Sequence, residues 1–585
     1  MPAKASNARS AARLMESSGS LPAFSPKKRS YGGSGRRRAA KEAAEALLEN
    51  PSQDIERLKN RISRAHGISY LKNSEMLAFV PRSEAALCRA LLKSPTRTLS
   101  GVTPIALMPP PTPCPGRCIY CPKGENAPQS YTGYEPTTMR AIECGYSARK
   151  QIEARIGQYT AQGHGTDKCH LIVMGGTFLC SPVKRQQAFV KEAFDTLNGK
   201  RSGTLRAAID ANERARHKAI GVTFETRPDF GMEKEADAML GLGGTQVELG
   251  VQALSDAVYR KVHRGHTVDD VARSTAILRD SGFKICYHMM PGLFATPSQD
   301  VGYFKKLFSD PRFQPDMVKI YPVLVMQGTP LHALWKRGRF SPYSTEEAAE
   351  VIADATRFIP PYARVPRIQR DIPSPLVAAG VKNSNLRQIV DGLLRRRGEK
   401  CRCIRCREIG SEEREGKEPG KLRLEMNSTE GAPLQAAGYH RHSVEMLPVG
   451  PRRKRRGITQ LAMKRREYLA AGGREIFLSF EDEGKDLIAG FLRLRLPASP
   501  HREELAASSI VRELHVYGQE AAIGERAEGK EQHRGLGGKL LLEAERISRG
   551  EAGMEKISVL SGPGARGYYR RLGYFLEGAY MQKKL

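Results

Sequence analysis

Ile105-Ala-Leu-Met-Pro-Pro-Pro-Thr-Pro-Cys114-Pro-Gly-Arg-Cys118-Ile-Tyr-Cys121 joins a short apolar run to a loop that carries three thiols in a CxxxCxxC spacing. The same change of character, from apolar run to Gly, Pro or polar cluster and then to a helical stretch, recurs down the chain. It is found at Leu171-Ile-Val-Met174, Ile220-Gly-Val-Thr-Phe224, Gln246-Val-Glu-Leu-Gly250, Ile285-Cys-Tyr-His-Met289 and Val318-Lys-Ile-Tyr321. Short apolar runs alternating with helical periodicity mean repeated βα units. From Gly101 to about Ile372 the sequence therefore reads as a full or partial βα barrel of the α/β class. Its loops gather at the C-terminal ends of the strands, where barrels keep their active sites, and the thiol loop stands at that mouth.

Outward from the barrel, 585 residues exceed what one hydrophobic core accommodates, so further domains are expected. The sequence divides into a basic arm and helical region over 1–96, the barrel over 97–372, a basic linker over 373–473 and a second α/β unit over 474–585. Residues 1 to about 50 read as a flexible basic arm, with ten Lys or Arg up to Lys41 against one acid, Glu16. Arg36, Arg37, Arg38 and Lys41 are its candidate RNA contacts. Ile55, Leu58 and Ile62 then recur at helical spacing among basic residues, as in a small helical unit.

Lys and Arg outnumber Asp and Glu by 94 to 63, a formal charge of +31 that attracts polyanions, nucleic acid first among them. No apolar run is long enough to cross a bilayer, and the N-terminus lacks the apolar core of a signal peptide. No membrane partner and a cytoplasmic location are expected. Of eleven cysteines six lie in two tight clusters, which suits metal binding in a reducing compartment better than a disulfide framework.

Iron-sulfur cubanes are usually held by four thiolates, so Cys114, Cys118 and Cys121 would leave one iron open to another ligand. A partial zinc site or three unrelated core cysteines fit the barrel-mouth position less well. Gly175-Gly176-Thr177 ends the second strand, where a backbone without side chains allows close approach of a ligand. Glu225, Gln252, His288 and Lys319 lie at or near strand ends and could hold cofactor or substrate, Lys319 being the candidate catalytic group. Each could equally be a structural ion pair. Gly241-Leu-Gly243-Gly244 follows a helical stretch and reads as a turn.

In the last unit, strand-like Glu475–Phe480, Leu487–Leu494 and Ile510–Tyr517 precede Gln532-His-Arg-Gly535-Leu536-Gly537, which opens a helix. Exposed backbone N–H groups at a helix start suit a pyrophosphate. Tyr568 and Tyr569 follow as candidate proton donors, with core packing the other reading of the second. Between the two units, Cys401-Arg-Cys403-Ile-Arg-Cys406 can reach one tetrahedral metal, read as a structural zinc without a visible fourth ligand. A redox-active or incidental cluster is the alternative.

The CxxxCxxC loop and the Gly-Gly after it resemble the radical-SAM superfamily, and the last unit is similar to acetyltransferases of the GNAT fold. Together with Gln129-Ser-Tyr-Thr-Gly-Tyr-Glu-Pro136, Glu225-Thr-Arg-Pro-Asp229, Arg264-Gly-His-Thr267, Ile368-Gln-Arg-Asp-Ile-Pro373 and Ile510-Val-Arg-Glu-Leu-His-Val-Tyr-Gly518, they make the chain resemble one family from about Arg97 to Leu585. That family is the catalytic subunit of Elongator with its stand-alone archaeal and bacterial counterparts, the tRNA carboxymethyluridine synthases. The resemblance implies a 4Fe-4S cluster on Cys114, Cys118 and Cys121 and S-adenosylmethionine near Gly175, Gly176, Glu225 and Gln252. It also implies acetyl-CoA at Gln532, Gly535, Leu536 and Gly537. A radical taken from the acetyl methyl would add to C5 of a wobble uridine, with tRNA bound through its anticodon region and an outside electron donor; whether the chain stands alone or works with other Elongator subunits is left open. A protein lysine acetyltransferase with a structural iron-sulfur domain is the rival reading, and a tRNA-binding scaffold with decayed sites a third. The thiols, the glycines and the basic charge weigh against both.

Overall fold

The computed structural model describes residues 34–81, 83–92, 101–409, 421–423, 444–446, 458–517 and 535–585. All six apolar runs are strands of one parallel sheet: β1 (Thr103–Leu107), β2 (Lys168–Val173), β3 (Lys218–Thr226), β4 (Gln246–Gln252), β5 (Lys284–Met289) and β6 (Met317–Ile320), ordered as in the chain. β4 is buried along nearly its whole length, as a strand covered on both faces must be. β1 and β6 do not pair with each other, so the sheet is a half-barrel. The edge of β6 is covered by the segment around Arg364 and Ile368 through two parallel bridges, which leaves no open template for another strand.

The second sheet has eight strands: β7 (Val444–Met446), β8 (Ala462–Ala470), β9 (Gly473–Asp482), β10 (Leu487–Leu496), β11 (Ser508–Val516), β12 (Lys556–Val559), β13 (Phe575–Glu577) and β14 (Tyr580–Lys584). Only β11 and β12 run parallel, and their pairing stops at Val511 and Val559 while β11 continues to Val516. The sheet splits there, and the helix Leu536–Arg546 starts beside the split.

The second sheet docks on the N-terminal ends of the barrel strands. Asp316, one residue before β6, receives two hydrogen bonds of 2.7 Å from Arg512 of β11. Arg279 reaches Glu475 of β9 at 2.8 Å, and Arg495 of β10 reaches Asp280 at 2.6 Å. Gly562 and Gly564 lie so close to the start of β3 that a Cβ on either would fall 2.2–2.5 Å from the chain at Ile220 or Lys218. These side chains are almost wholly shielded from water, so the junction is a closed, charge-matched interface.

Three expectations need correction. The stretch read as a flexible arm to about residue 50 is, from Ser34 to Glu49, a helix that buries Ala39, Ala40, Ala43, Ala44 and Leu47 against the helices that follow. Arg36 is thereby spoken for: it pairs with Glu75 at 2.6 Å and donates to Ser69 and Tyr70. The linker assigned to 373–473 is not loose over its described part, because the helix Leu386–Arg396 buries Leu386, Val390 and Leu394 in the barrel core. Its end, β8, belongs to the second sheet, which therefore begins before 474. Ala462-Met-Lys-Arg-Arg-Glu-Tyr-Leu-Ala hides its strand character because Arg466 is buried by pairing with Glu481 at 2.6 Å. No described helix is long and apolar enough to cross a membrane.

Candidate active site

The thiol loop is pinned from two sides: Ile119 N–H donates to Val262 at 3.1 Å, and the Ile119 carbonyl accepts from Leu331 N–H at 2.9 Å. Cys114, Cys118 and Cys121 line one cavity at the barrel mouth. Gly116 leaves room there for Arg227, since a Cβ would stand 2.2 Å from Arg227 Nη1. Arg264 donates to Cys118 Sγ at 3.5 Å and to the Gly250 carbonyl at 2.5 Å. The hydrogen bond from Cys121, together with the Arg264 and Arg227 charges, overcomes burial and draws the Cys118 thiol down to about 5. One member of this pair is thus ready to act as a thiolate ligand.

The polar atoms around the loop are unusually short of partners. Among the described residues, Tyr120 Oη, Arg227 Nη1, Arg264 Nε and both ring nitrogens of His266 are buried with no hydrogen-bond partner. Buried polar groups are normally paired, so such a set around three cysteines marks a place built for a charged group. Three thiolates beside two buried guanidiniums suit an anionic iron-sulfur cluster.

The other expected barrel residues are gathered here unevenly. Gly175 (φ 125°) and Gly176 (φ 80°) turn the chain through the left-handed region, and Gly176 borders the cavity, where a Cβ would press on the Gln129 carbonyl at 3.2 Å. Glu225 faces the cavity and accepts from Tyr131 Oη at 3.0 Å. Gln252 holds a positive φ of 71°, strain of the kind that functional sites retain. His288 lines the cavity with Nε2 2.7 Å from Glu248. Lys319, expected to be catalytic, is instead bound to the same Glu248 carboxylate. Burial works against its charge, but Glu248 outweighs burial and raises its hold on the proton. Arg227 borders the cavity within the stretch 225–229 that sequence reading set at a strand end to hold cofactor or substrate, whereas that reading gave no role to Arg264, Arg367 or Arg370, which border it too. Arg264 and Arg370 lie in two of the distinctive stretches quoted above, so their signal was available, whereas Arg367 stands one residue before such a stretch.

In the second unit Gly535 begins the helix with φ 99°, and Leu536 is fully buried as its anchor. A Cβ on Gly537 would lie 2.9 Å from Tyr568 Oη and 3.7 Å from Val516 Cγ2, so the helix start, the split sheet and Tyr568 form one site. Tyr569 does not share it. Its ring is 6% exposed, packed edge-on between Tyr568 and Tyr574 within the core, and burial pushes its hydroxyl up. It is a packing residue, and Tyr568 is the candidate donor. Gln532 lies outside the described residues.

The sulfurs of Cys401, Cys403 and Cys406 lie within 4.8 Å of one another, and among the described residues no other Cys, His, Asp or Glu joins them. Their loop spans the junction: Ile404 N–H donates to Ala363 of the barrel at 2.9 Å, and Ile409 N–H to Ile488 of β10 at 3.0 Å.

Comparison with known proteins agrees with this geometry. Residues 108–306 match the Radical SAM superfamily model, and residues 315–396 match the Radical_SAM C-terminal domain. A tRNA uridine(34) acetyltransferase of Dehalococcoides mccartyi is 44% identical over 84% of this chain and 100% of its own length. One from Methanocaldococcus infernus is 42% identical over 91% and 95%. Elongator complex protein 3 of Homo sapiens is 39% identical over 93% and 96%. The chain belongs to this family. The solved structure of an archaeal relative, Methanocaldococcus infernus Elp3 with an N-terminal deletion, superposes with TM-score 0.68 at 40% identity, covering 83% of this chain and 100% of that one. The half-barrel is thus a radical-SAM domain of the Elongator protein 3 family.

Proposed function

We propose that this protein modifies the wobble uridine of tRNA to 5-carboxymethyluridine, using S-adenosylmethionine and acetyl-CoA. The observation that carries the reading is the pairing of a three-thiol loop at the mouth of a radical-SAM half-barrel with relatives named tRNA uridine(34) acetyltransferase over most of the chain. Cys114, Cys118 and Cys121 would hold the 4Fe-4S cluster, and Gly175, Gly176, Glu225 and Gln252 would border S-adenosylmethionine. Bound there, these groups supply the radical that activates the acetyl methyl. The second unit, read as a GNAT fold, would take the acetyl-CoA pyrophosphate on the free N–H groups at Gly535, Leu536 and Gly537, with Gln532 preceding them. Tyr568, at the same helix start, would protonate the departing thiolate. Arg37, Arg38 and Lys41, on the solvent side of the first helix, remain available for tRNA phosphates.

Gly537→Glu tests the reading, because a carboxylate there meets Tyr568 and repels a pyrophosphate. Acetyl-CoA binding and modified uridine should be lost, while the cluster absorbance and tRNA affinity remain. Tyr568→Phe should lower product formation roughly 10- to 100-fold, and Tyr569→Phe should leave it nearly unchanged. Normal nucleoside yield from Gly537→Glu would mean that the carbon unit does not come from CoA at this loop.

Cys401, Cys403 and Cys406 are proposed to bind a structural zinc that ties barrel to second sheet. In a triple Ser variant, metal analysis should find zinc lost and iron retained, with thermal stability lowered. Unchanged zinc would exclude this loop.

A further inference from the structure

His288 is placed for a task that holding a cofactor does not explain. It closes β5 and faces the cavity that contains the thiol loop, with about 15% of its side chain exposed. Behind it stands Glu248 of β4, 3% exposed, which accepts from His288 Nε2 at 2.7 Å and is also bound by Lys319 of β6. Burial would raise the Glu248 carboxyl, but Lys319 and His288 overcome that and hold it ionised. Because an ionised carboxylate only accepts, Nε2 is the ring nitrogen that donates to Glu248, and Nδ1 is the one left for another partner. The remaining groups around it are Tyr321, whose ring meets His288 edge-on at 5.3 Å, Glu225 across the cavity and the Cys286 thiol on its own strand. An imidazole held through one nitrogen by a buried carboxylate that stabilises the imidazolium is the arrangement of a general base.

We infer that His288 is the base that removes the C5 proton of the pyrimidine substrate, with Glu248 and Lys319 as its positioning residues. The inference rests on the proposed uridine chemistry. Exchange of a C–H for a C–C bond at C5 requires that a proton leave. After a carbon radical adds to C5, the C5–H bond breaks, the proton going to His288 Nδ1. The bonding pair and the unpaired electron at C6 rebuild the C5=C6 double bond with one electron in excess. That electron passes to a one-electron acceptor of the iron-sulfur class. Lys319 is committed to Glu248 by their buried ion pair.

The test uses the full chain, anaerobically reconstituted, with tRNA carrying 5-deuterated uridine, and compares wild type, His288→Ala and His288→Gln. Expected in both variants are wild-type cluster absorbance, wild-type tRNA affinity and continued deoxyadenosine formation. Modified nucleoside should fall at least about 100-fold, the C5 deuterium isotope effect should rise, and imidazole should restore part of the rate to His288→Ala. Wild-type nucleoside yield in either variant would overturn the inference. So would loss of cluster or tRNA binding in both, or a defect that imidazole leaves untouched, because these mark a structural role. If the wild-type chain makes no modified uridine in the same assay, the proposed function fails first and takes this step with it.

Discussion

Replacing Cys118 and Cys121 together by Ala should leave a folded, colourless protein that no longer cleaves S-adenosylmethionine. The expected effect is complete because two of three thiolate ligands are lost. A lone Cys114 does not hold a cubane, and an open iron is needed for the cofactor to bind. Folding should survive, since Ala removes only small, locally packed side chains and the loop keeps its backbone bonds at Ile119 to Val262 and Leu331. The buried Arg264 would lose the Cys118 sulfur while Arg227 keeps Asp229, so a modest fall in thermal stability is expected alongside. Iron content, the brown chromophore and deoxyadenosine formation report the outcome. Full cleavage without the two thiols would remove the cluster from this loop.

The largest effect on stability is expected at the junction of the two units, from Asp316→Asn. Asp316 is completely buried and faces Arg512 at 2.7 Å, Arg279 at 3.5 Å and Arg493 at 3.6 Å. An amide of the same shape leaves three guanidiniums sharing less negative charge, and breaking a buried pair in this way costs about 3–5 kcal/mol. Burial alone would raise the Asp316 carboxyl, but the guanidiniums of Arg279, Arg512 and Arg493 hold it well below the carboxylate range. Its folded-state affinity for protons is depressed. Its contribution is therefore fully present above the unfolded value near 4 and is lost as pH falls through the folded value. Thermal unfolding should thus separate wild type from Asp316→Asn widely at pH 7, and the gap should narrow below about pH 4. Equal stability at pH 7 would mean that these charges do not hold the junction.

What could be read in the sequence, and what could not, follows from where each side chain spends its charge. The six barrel strands announce themselves because each carries a short cluster of buried apolar side chains before a loop, as Val247, Leu249 and Val251 do in β4. The thiol loop is legible because its spacing is local. The junction is not. Leu492-Arg-Leu-Arg-Leu496 of β10 alternates as a half-exposed strand would, yet Arg493 and Arg495 face the barrel and are almost wholly buried. Their partners Tyr362 and Asp280 are more than a hundred residues away, and no local pattern names them. β8 was hidden at shorter range, since its Arg466 is buried and neutralised by Glu481 on the next strand. Sequence distance also turned Lys319 from a candidate catalytic group into a charge locked on Glu248. The first helix, by contrast, was within reach: Ala39, Ala40, Ala43, Ala44 and Leu47 keep helical spacing, but the surrounding basic residues outweighed that pattern. Tyr568 and Tyr569 could be separated only by seeing which ring faces Gly537.

The most direct measurement of the central claim is nucleoside mass analysis of tRNA after anaerobic incubation with the reconstituted protein, S-adenosylmethionine, dithionite and acetyl-CoA carbon-13 labelled at both acetyl carbons. The account predicts a carboxymethyl group at the wobble uridine with both of its carbons labelled, and its absence when S-adenosylmethionine is left out. Unmodified uridine with labelled acetyl groups on protein lysines would contradict it.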